Sequence, residues 1–405
     1  MLKNPDYMTA RDLLLSRAEV VGTEQVALAA CGGRILAAEL RASENVPAFD
    51  RSAYDGYAFR AADVAAATDE APITLRVVEE IPAGAFPTKT VGPGEAAKVL
   101  TGAPIPEGAD TVEKYEATRF DALGVTLSAG LKVGNGIVRT GEDVAKGSVL
   151  ALPGTRIDAG LAGTLAAQGV GMPLVYRRPR IGIISTGSEL VEAESESVPA
   201  GKIRNTNRTA FEVLLASLGC EPCYLGLAGD DEREIAALIE KGLADCDALL
   251  LTGGVSVGDY DLTPAAMELV GAEILLRGVS MKPGMACCYA VKDGKLLMGL
   301  SGNPASSLTN FYAVALPALR KIMGCAEVLP QEITVSLAAP FRKKSPQTRF
   351  LRGKLDLTEG TVHMQLVADQ GNVVLSSTIG ANVMAIVPAG SGPVEEGTRL
   401  RGFML

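Results

Sequence analysis

The 405-residue chain contains no Trp, a single His and only 4% aromatic residues. Its cores must therefore be aliphatic, and any chemistry that needs an imidazole has only His363 to draw on. In Thr361-Val-His-Met-Gln-Leu-Val367 that histidine alternates with Gln365, the pattern of the polar face of a strand. This argues against a Ser-His-Asp hydrolase, although Gly254-Val-Ser256-Val-Gly258 has the letters of a nucleophile elbow. Ser256 falls several residues past the preceding apolar run, whereas an elbow serine sits on the sharp turn directly after a strand. No G-x-G-x-x-G or G-x-x-x-x-G-K-[ST] occurs, which argues against dinucleotide and P-loop sites.

No uninterrupted apolar stretch approaches the roughly 20 residues that cross a bilayer. The opening Met1-Leu-Lys-Asn-Pro-Asp6 lacks an apolar core of signal-peptide length. The seven Cys are odd in number and lack metal-ligand spacing, which suits a reduced compartment. Cys220 and Cys223 form a C-x-x-C between a helix stop at Gly219 and a strand, where packing is expected rather than redox or zinc chemistry. A soluble, cytoplasmic protein is the expectation. The formal net charge of -9 repels phosphate backbones and anionic lipid, so neither nucleic acid nor membrane is an expected partner. An anionic ligand must be met by a local basic pocket.

What is abundant is turn chemistry, with 45 Gly and 22 Pro in the chain, as in proteins of short strands. Length alone predicts about two to four domains. From about 180 to 324, strands and helices alternate. Arg180-Ile-Gly-Ile-Ile-Ser-Thr186 is an apolar run of the buried parallel kind. A helix is expected after Asn207, with Phe211, Leu214, Leu215 and Leu218 on one face and Gly219 as its stop. Cys223 to Gly229 reads as a second strand, and Asp231 with Glu234 as a capping box for a helix burying Ile235, Leu238 and Ile239. Asp247 to Thr252 and Lys295 to Leu300 read as further strands. Asn303-Pro304 reads as a helix N-cap with Pro at the first helical position. The expected fold is multidomain α/β plus β: a central doubly wound α/β domain at 177–326, flanked by small β domains at 44–140 and 327–405. Residues 1–43 and 141–176 are expected to form a discontinuous N-terminal domain, the helical pattern from Met8 to Ala18 pairing with 141–176.

Ligands of an open α/β sheet bind beyond the carboxyl ends of its strands. Four such ends carry matching chemistry: Ser185-Thr186-Gly187-Ser188-Glu189; Asp230-Asp231; Thr252-Gly253-Gly254-Val-Ser256-Val-Gly258 followed by Asp259 and Asp261; and Ser301-Gly302-Asn303-Pro304. Glycines there admit phosphate oxygens to backbone N–H groups, and carboxylates offer hard oxygen ligands to Mg²⁺. Each segment alone is also readable as an ordinary turn, Asp231 as a helix cap, and Lys282 and Arg204 as solvated charges. Their convergence on one sheet edge describes a Mg²⁺–phosphate site.

Taken together, these segments resemble the molybdopterin molybdenumtransferase family, also represented by the C-terminal domain of gephyrin. The resemblance runs over nearly the whole chain. It is carried by Val46-Pro-Ala-Phe-Asp-Arg-Ser-Ala-Tyr-Asp-Gly-Tyr57, Thr101-Gly-Ala-Pro-Ile-Pro-Glu-Gly-Ala-Asp110, and Arg139, Gly141 and Asp143. Pro179-Arg180 through Leu190, Gly253 to Asp259, Met281-Lys-Pro-Gly284, Gly302-Asn-Pro304 and Phe350-Leu-Arg-Gly353 complete it. Arg51, Tyr54, Pro264, Met285 and Ser301 depart from the family pattern; Met285 stands where many relatives carry a second Lys.

The resemblance implies four domains, a homodimer, and insertion of molybdate into adenylyl-molybdopterin with Mg²⁺, giving molybdenum cofactor and AMP. It also makes a molybdopterin adenylyltransferase a candidate upstream partner. The implied roles are these: Glu189, Asp230, Asp259 and Asp261 hold Mg²⁺; Gly253, Gly254 and Gly302 cradle phosphates; Lys282 and Arg352 hold molybdate or the pterin phosphate. Asp55 and Thr101, from the partner subunit, close the site. Asp143, Ser185, Thr186, Gly187, Ser256, Asn303 and Pro304 are further expected substrate contacts. The rivals are a molybdopterin adenylyltransferase, a tungstate-inserting version of the same enzyme, and a non-catalytic gephyrin-like scaffold.

Overall fold

The protein is described by a computed structural model covering residues 1–256, 262–357 and 362–405. By internal contact the chain forms two units, Met1–Ala38 with Pro153–Ala159 and Met172–Leu405, and Glu39–Leu152 with Gly160–Gly171.

The first unit is built on seven strands: β1 (Leu2–Lys3), β2 (Arg180–Thr186), β3 (Glu221–Ala228), β4 (Ala248–Thr252), β5 (Glu273–Arg277), β6 (Cys287–Lys292) and β7 (Lys295–Leu300). They lie in the order β1-β5-β6-β7-β4-β2-β3. The β7, β4, β2 and β3 pairings are parallel, while β6 runs antiparallel to both β5 and β7. The sheet is therefore mixed. Alternation of strands and helices does not announce β5 and β6, because no helix separates β6 from β7.

Helices cover both faces, as double winding requires. On one side lie α1 (Tyr7–Arg17) and α2 (Thr206–Leu218), with α5 (Pro304–Asn310) and α6 (Leu316–Ile322) joined by one π-helical stretch, Phe311–Ala315. On the other lie α3 (Glu232–Asp245) and α4 (Thr263–Leu269). Ala10, Leu14, Phe211, Leu215, Phe311, Val314 and Leu319 pack with Ile181, Ile183, Leu250 and Met298 on the first face. Ile235, Ile239, Ala266 and Met267 pack with Ile184, Leu249, Leu251 and Leu297 on the second. Burying each of the larger of these side chains, Leu, Ile, Val, Met or Phe, is worth about 1.5–3 kcal/mol. Leu214, Leu218 and Leu238 complete the expected apolar stripes as half-buried neighbours.

The caps differ from expectation in instructive ways. The second helix starts at Thr206, capped by the Asn205 side chain, which accepts from the Arg208 N–H; Asn207 lies inside the first turn. Asp231 caps α3 as expected, but Glu234 reaches past it to accept from the Gly229 N–H at 3.1 Å. Asn303 occupies the N-cap of α5 without a side-chain cap bond. Helix α1 carries a cap of its own, Asp6, which accepts from the N–H groups of Met8 and Thr9. Its packing is against the π stretch and α6, while the pairing of the N-terminal segment with later residues is made by strands. Thr23–Gln25 pairs with Leu174–Tyr176.

The C-terminal strands β8 (Glu332–Leu337), β9 (Thr348–Asp356), β10 (His363–Leu366), β11 (Val383–Val387) and β12 (Arg399–Met404) close into a five-stranded barrel, β9-β10-β8-β12-β11, with β11 returning to β9. Val335, Leu351, Met364, Val383 and Ala385 fill it. A sixth, two-residue strand, Met281–Lys282, adds to β9 in parallel with Lys282 opposite Arg349. The second unit centres on another six-stranded sheet, in the order 111–114, 56–59, 95–99, 73–81, 124–127, 119–121. Phe59, Leu75 and Val125 pack on one side of it, and Ile81, Val99 and Val112 on the other. Among the described residues no helix is long and apolar enough to cross a membrane.

At the amino end of the parallel strands, Arg177 grips Asp247 in a bidentate pair at 2.7 and 2.5 Å, and the Arg180 N–H adds a third bond at 2.8 Å. Burial pushes the Asp247 carboxyl up, but Arg177 and the Arg180 N–H outweigh it and hold it below the usual carboxylate range. A depressed folded value means that the pairing stabilises the fold above the unfolded pKa, near ~4, and that this is lost as pH falls through the folded value. Asp247→Asn is expected to cost about 1–3 kcal/mol near neutral pH and to flatten the acid limb of the stability curve. Urea unfolding at neutral and acidic pH, on both proteins, checks both effects.

Candidate active site

The carboxyl ends of β2, β4 and β7 are held together by small buried polar groups. The Ser185 hydroxyl bonds the Asn205 side chain at 3.2 Å, and the Thr186 hydroxyl donates to the Thr252 carbonyl at 3.3 Å. Thr263 then anchors the loop after β4: its hydroxyl donates to the Gly253 carbonyl and its N–H to the Gly254 carbonyl. Gly253 has φ +101°, and a Cβ there would lie 2.3 Å from the Thr186 carbonyl oxygen, so no other residue fits without moving the backbone. Its N–H donates to the Leu300 carbonyl at 3.0 Å, which removes it from the expected phosphate cradle. Its role is conformational. The N–H groups of Gly254 and Gly302 donate to no described residue. Asn207 donates to the Gly302 carbonyl at 2.9 Å, tying the start of α2 to the loop after β7. Ser301, where the family pattern has Pro, is buried and accepts from the Asn303 N–H at 3.2 Å.

The first loop presents carboxylates. Glu189 is exposed, and its carboxylate folds back over the Cα of Gly187. Exposed Asp230 accepts from the Ser188 N–H at 3.4 Å, while its own N–H donates to the Ser188 hydroxyl at 3.1 Å. Glu189 and Asp230 thus flank Ser188, whose carbonyl receives the Lys202 ammonium. Asp259 and Asp261 lie outside the described residues. Among the described residues, no three His, Cys, Asp or Glu side chains gather as a metal cluster. Ser256 is exposed, four positions past the last residue of β4.

Two cations come from the C-terminal half. Lys282 is exposed on its short strand between buried Met281 and Pro283. Met285, in the following turn, is 49% exposed, and its Sδ accepts from the Gln347 amide at 3.6 Å. Arg352 is 1% exposed. Its Nη2 donates to the carbonyls of Asp369 and Gly371 and to the Ser377 hydroxyl. Its Nε and Nη1 are buried with no partner among the described residues. Burial pulls this guanidinium below its ordinary pKa, with Asp369 acting against the shift. The Leu375–Thr378 turn that carries Ser377 packs against α5, whose amino end is the Asn303-Pro304 step.

In the second unit, Asp55 and Thr101 come together. The Asp55 carboxylate accepts from the Thr101 N–H at 2.7 Å and from its hydroxyl at 2.8 Å. These two bonds hold the exposed carboxyl below the usual carboxylate range. Asp143 is exposed, and its N–H donates to the Val46 carbonyl.

The C-x-x-C is a packing element. Cys220 is buried, with its thiol pushed up to about 12 by that burial, and Cys223 is half-buried. The sequence pattern singles out none of Asn205, Ser377 and Asn310 and reads Asn207 only as the residue before a helix; Asn205, Asn207 and Ser377 bond the segments named above, and Asn310 bonds the turn that carries Lys282. Their signal is faint: an Asn or Ser within an otherwise apolar or capping stretch reads as helix edge until its partner across the fold is known.

The chain is similar to known proteins along nearly its whole length. Three family models match in succession: "MoeA N-terminal region (domain I and II)" at residues 6–169, "Probable molybdopterin binding domain" at 182–321 and "MoeA C-terminal region (domain IV)" at 334–401. The chain is 38% identical to a molybdopterin molybdenumtransferase of Bacillus subtilis, over 95% of this chain and 90% of that one. It is 36% identical to one of Staphylococcus epidermidis, over 89% of this chain and 85% of that one. A crystal structure of a molybdopterin biosynthesis moeA protein from Pyrococcus horikoshii superposes with a TM-score of 0.86 at 30% identity, covering 99% of this chain and 100% of that one. With relatives of this identity along nearly its whole length, the chain belongs to the molybdopterin molybdenumtransferase family.

Proposed function

We propose that the enzyme transfers molybdenum from molybdate into adenylyl-molybdopterin with Mg²⁺, releasing AMP, at the carboxyl edge of the seven-stranded sheet. The observation that carries this reading is Arg352: a fully buried guanidinium with two donor atoms that have no partner among the described residues, beside a turn packed on α5. A buried cation without a carboxylate partner is costly, and an oxyanion is the natural group to complete it. Arg352 and Lys282 would hold molybdate or the pterin phosphate, Lys282 as a point charge and Arg352 as a planar fork. Gly254 and Gly302 would offer their N–H groups to phosphate oxygens. Ser185, Thr186, Gly187, Ser256, Asn303 and Pro304 would line the nucleotide and pterin, and Asp143 would contribute a further substrate contact.

The donors present fit Mg²⁺. Glu189 and Asp230 are hard oxygen ligands, and this ion keeps most of its waters while using one or two carboxylates with substrate phosphates; Asp259 and Asp261 are the further proposed ligands. When bound, Mg²⁺ supplies Lewis-acid stabilisation of the phosphate oxygens as the anhydride opens. The chain's own residues orient that anhydride and exclude bulk water from it. The dithiolene sulfurs of the substrate ligate the molybdenum, so no cluster of protein Cys or His is required.

The chain is proposed to divide at 1–43 with 141–176, 44–140, 177–326 and 327–405. The strand pairing of Leu40–Arg41 with Val149–Ala151 supports the first of these. We further propose a cytoplasmic homodimer supplied by a molybdopterin adenylyltransferase, in which Asp55 and Thr101 serve the partner's site.

Three outcomes are expected. Glu189→Gln should lower Mg²⁺-dependent AMP release by at least about a hundredfold; unchanged turnover would remove Glu189 from the site. Arg352→Lys should raise the molybdate concentration for half-maximal AMP release by about tenfold or more, since an ammonium does not replace a fork; titration with molybdate and with tungstate reads this and the preferred oxyanion. Asp55→Asn and Glu189→Gln subunits, each inactive alone, should recover activity as purified mixed dimers. Mixed dimers with no activity would sink the shared-site proposal.

A further inference from the structure

The Lys282 turn is held by an amide that belongs to no expected site. Asn310, the last residue of α5, is 0% exposed. Its Nδ2 donates to the Gly284 carbonyl at 2.6 Å and approaches the Met281 sulfur at 3.8 Å. Its Oδ1 accepts from the Tyr289 hydroxyl, itself fully buried on β6. The turn lies flat on the helix. A Cβ on Gly284, at φ +100°, would meet the Asn310 Cβ at 3.0 Å and the Ser306 carbonyl oxygen at 3.1 Å. A buried polar side chain this well bonded is expensive to desolvate, and apolar residues of similar volume fill such a place at less cost. Its bonds join Met281 and Gly284, the two residues that bracket Lys282 and Pro283. The same seven-residue helix begins at the Asn303-Pro304 step, beside Gly302. A single rigid element therefore connects the loop after β7 to the turn that carries the exposed lysine. The π-helical stretch Phe311–Ala315 starts at the next residue, a local unwinding of the kind found next to functional sites.

We propose that Asn310 is a positioning residue for the transfer reaction: through the Gly284 carbonyl it sets the place of Lys282 relative to the Ser301–Asn303 loop, and so governs oxyanion capture rather than nucleotide binding. The proposal rests on the reading of Lys282 as an oxyanion contact. Asn310→Asp keeps volume and the acceptor for Tyr289 but replaces the donor facing Gly284 with an oxygen.

The test measures AMP release against molybdate concentration, with AMP affinity titrated separately, for Asn310→Asp, Tyr289→Phe and Lys282→Ala. For Asn310→Asp the half-saturating molybdate concentration should rise about tenfold or more, with AMP affinity held within about twofold. Tyr289→Phe, which removes only the other bond, should lower the melting temperature and leave half-saturation within about twofold. Equal loss of AMP and molybdate affinity in Asn310→Asp, or the same molybdate effect in Tyr289→Phe, would overturn the proposal and leave Asn310 a core residue. A raised value in Lys282→Ala with none in Asn310→Asp overturns it alone; an unchanged value in Lys282→Ala overturns it through the Lys282 reading. If Asn310→Asp does not fold, Gly284→Ala, whose Cβ displaces the turn from the helix, takes its place with the same expected outcome.

Discussion

Burial of the central strands on both faces is the constraint from which the rest of the first unit follows. Ala248–Thr252 is buried at every position, and Lys295–Leu300 at all but its first. Such strands have no room for a charged side chain in their buried middle, so the charges proposed to meet an anion or its metal come from the loops beyond their ends and from neighbouring elements. Those loops must also fold back over one another's backbones. Gly253, Thr186 and Leu300 meet so closely that backbone fills the space where side chains would stand, and the Gly253 N–H is used in joining two loops. The proposed site is thus a framework of small buried hydroxyls and amides. Among the described residues its charges Glu189, Asp230 and Lys282 stand exposed, and Arg352 is buried.

Much of this was legible in the residues. The runs Arg180–Thr186 and Lys295–Leu300 are strands with the expected bounds, Gly219 is a left-handed helix stop, and Asp231 is a cap. These features are local: an apolar run, a positive φ and a capping side chain are each decided within a few residues. What was not legible depends on partners distant in sequence. Strands β5 and β6 lie outside the strand–helix rhythm because an antiparallel hairpin needs no crossover helix. The Gly253 N–H was read as a phosphate donor because nothing near it in sequence reveals that Leu300 accepts it. Asn207 was read as the residue before a helix because its partner, Gly302, is 95 residues away. Arg352 announced a family motif but not its burial, since burial is decided by the turn carrying Ser377 and by Asp369 and Gly371.

Charge poses a problem that the fold answers by burial. A chain of net charge -9 repels a dianion at long range, and salt screens that repulsion beyond about 8–10 Å. Within that distance the local dielectric decides. An exposed lysine facing an anion at ~4 Å gains about 1 kcal/mol in water and about 4 kcal/mol at the effective dielectric of a protein surface. A guanidinium already stripped of water gains more, because its desolvation was completed on folding and its donors without a partner among the described residues are preorganised. Exposed Glu189 and Asp230 fit the proposed site, since a divalent cation between them and the substrate phosphates would reverse the sign of their contribution.

Met285 sharpens the point. Where the resemblance leads one to expect a second lysine, this chain has a thioether that accepts a weak bond from Gln347. A sulfur there supplies no charge; Lys343 and Lys344, on the loop before Gln347, are exposed. In the proposed site the cationic contacts are then Lys282, whose turn is clamped to a helix, and Arg352, whose fork is fixed by three acceptors. Fewer cations make the placement of each one matter more: a flexible pair of lysines compensates for a displaced turn, whereas a single one does not. In the proposed site, the placement held by Asn310 and Ser377 would carry what a second lysine would supply as charge. Molybdate and tungstate are nearly alike in size and charge, so neither the charge nor the fit of the proposed site separates them, and a preference has to come from the chemistry of the metal itself.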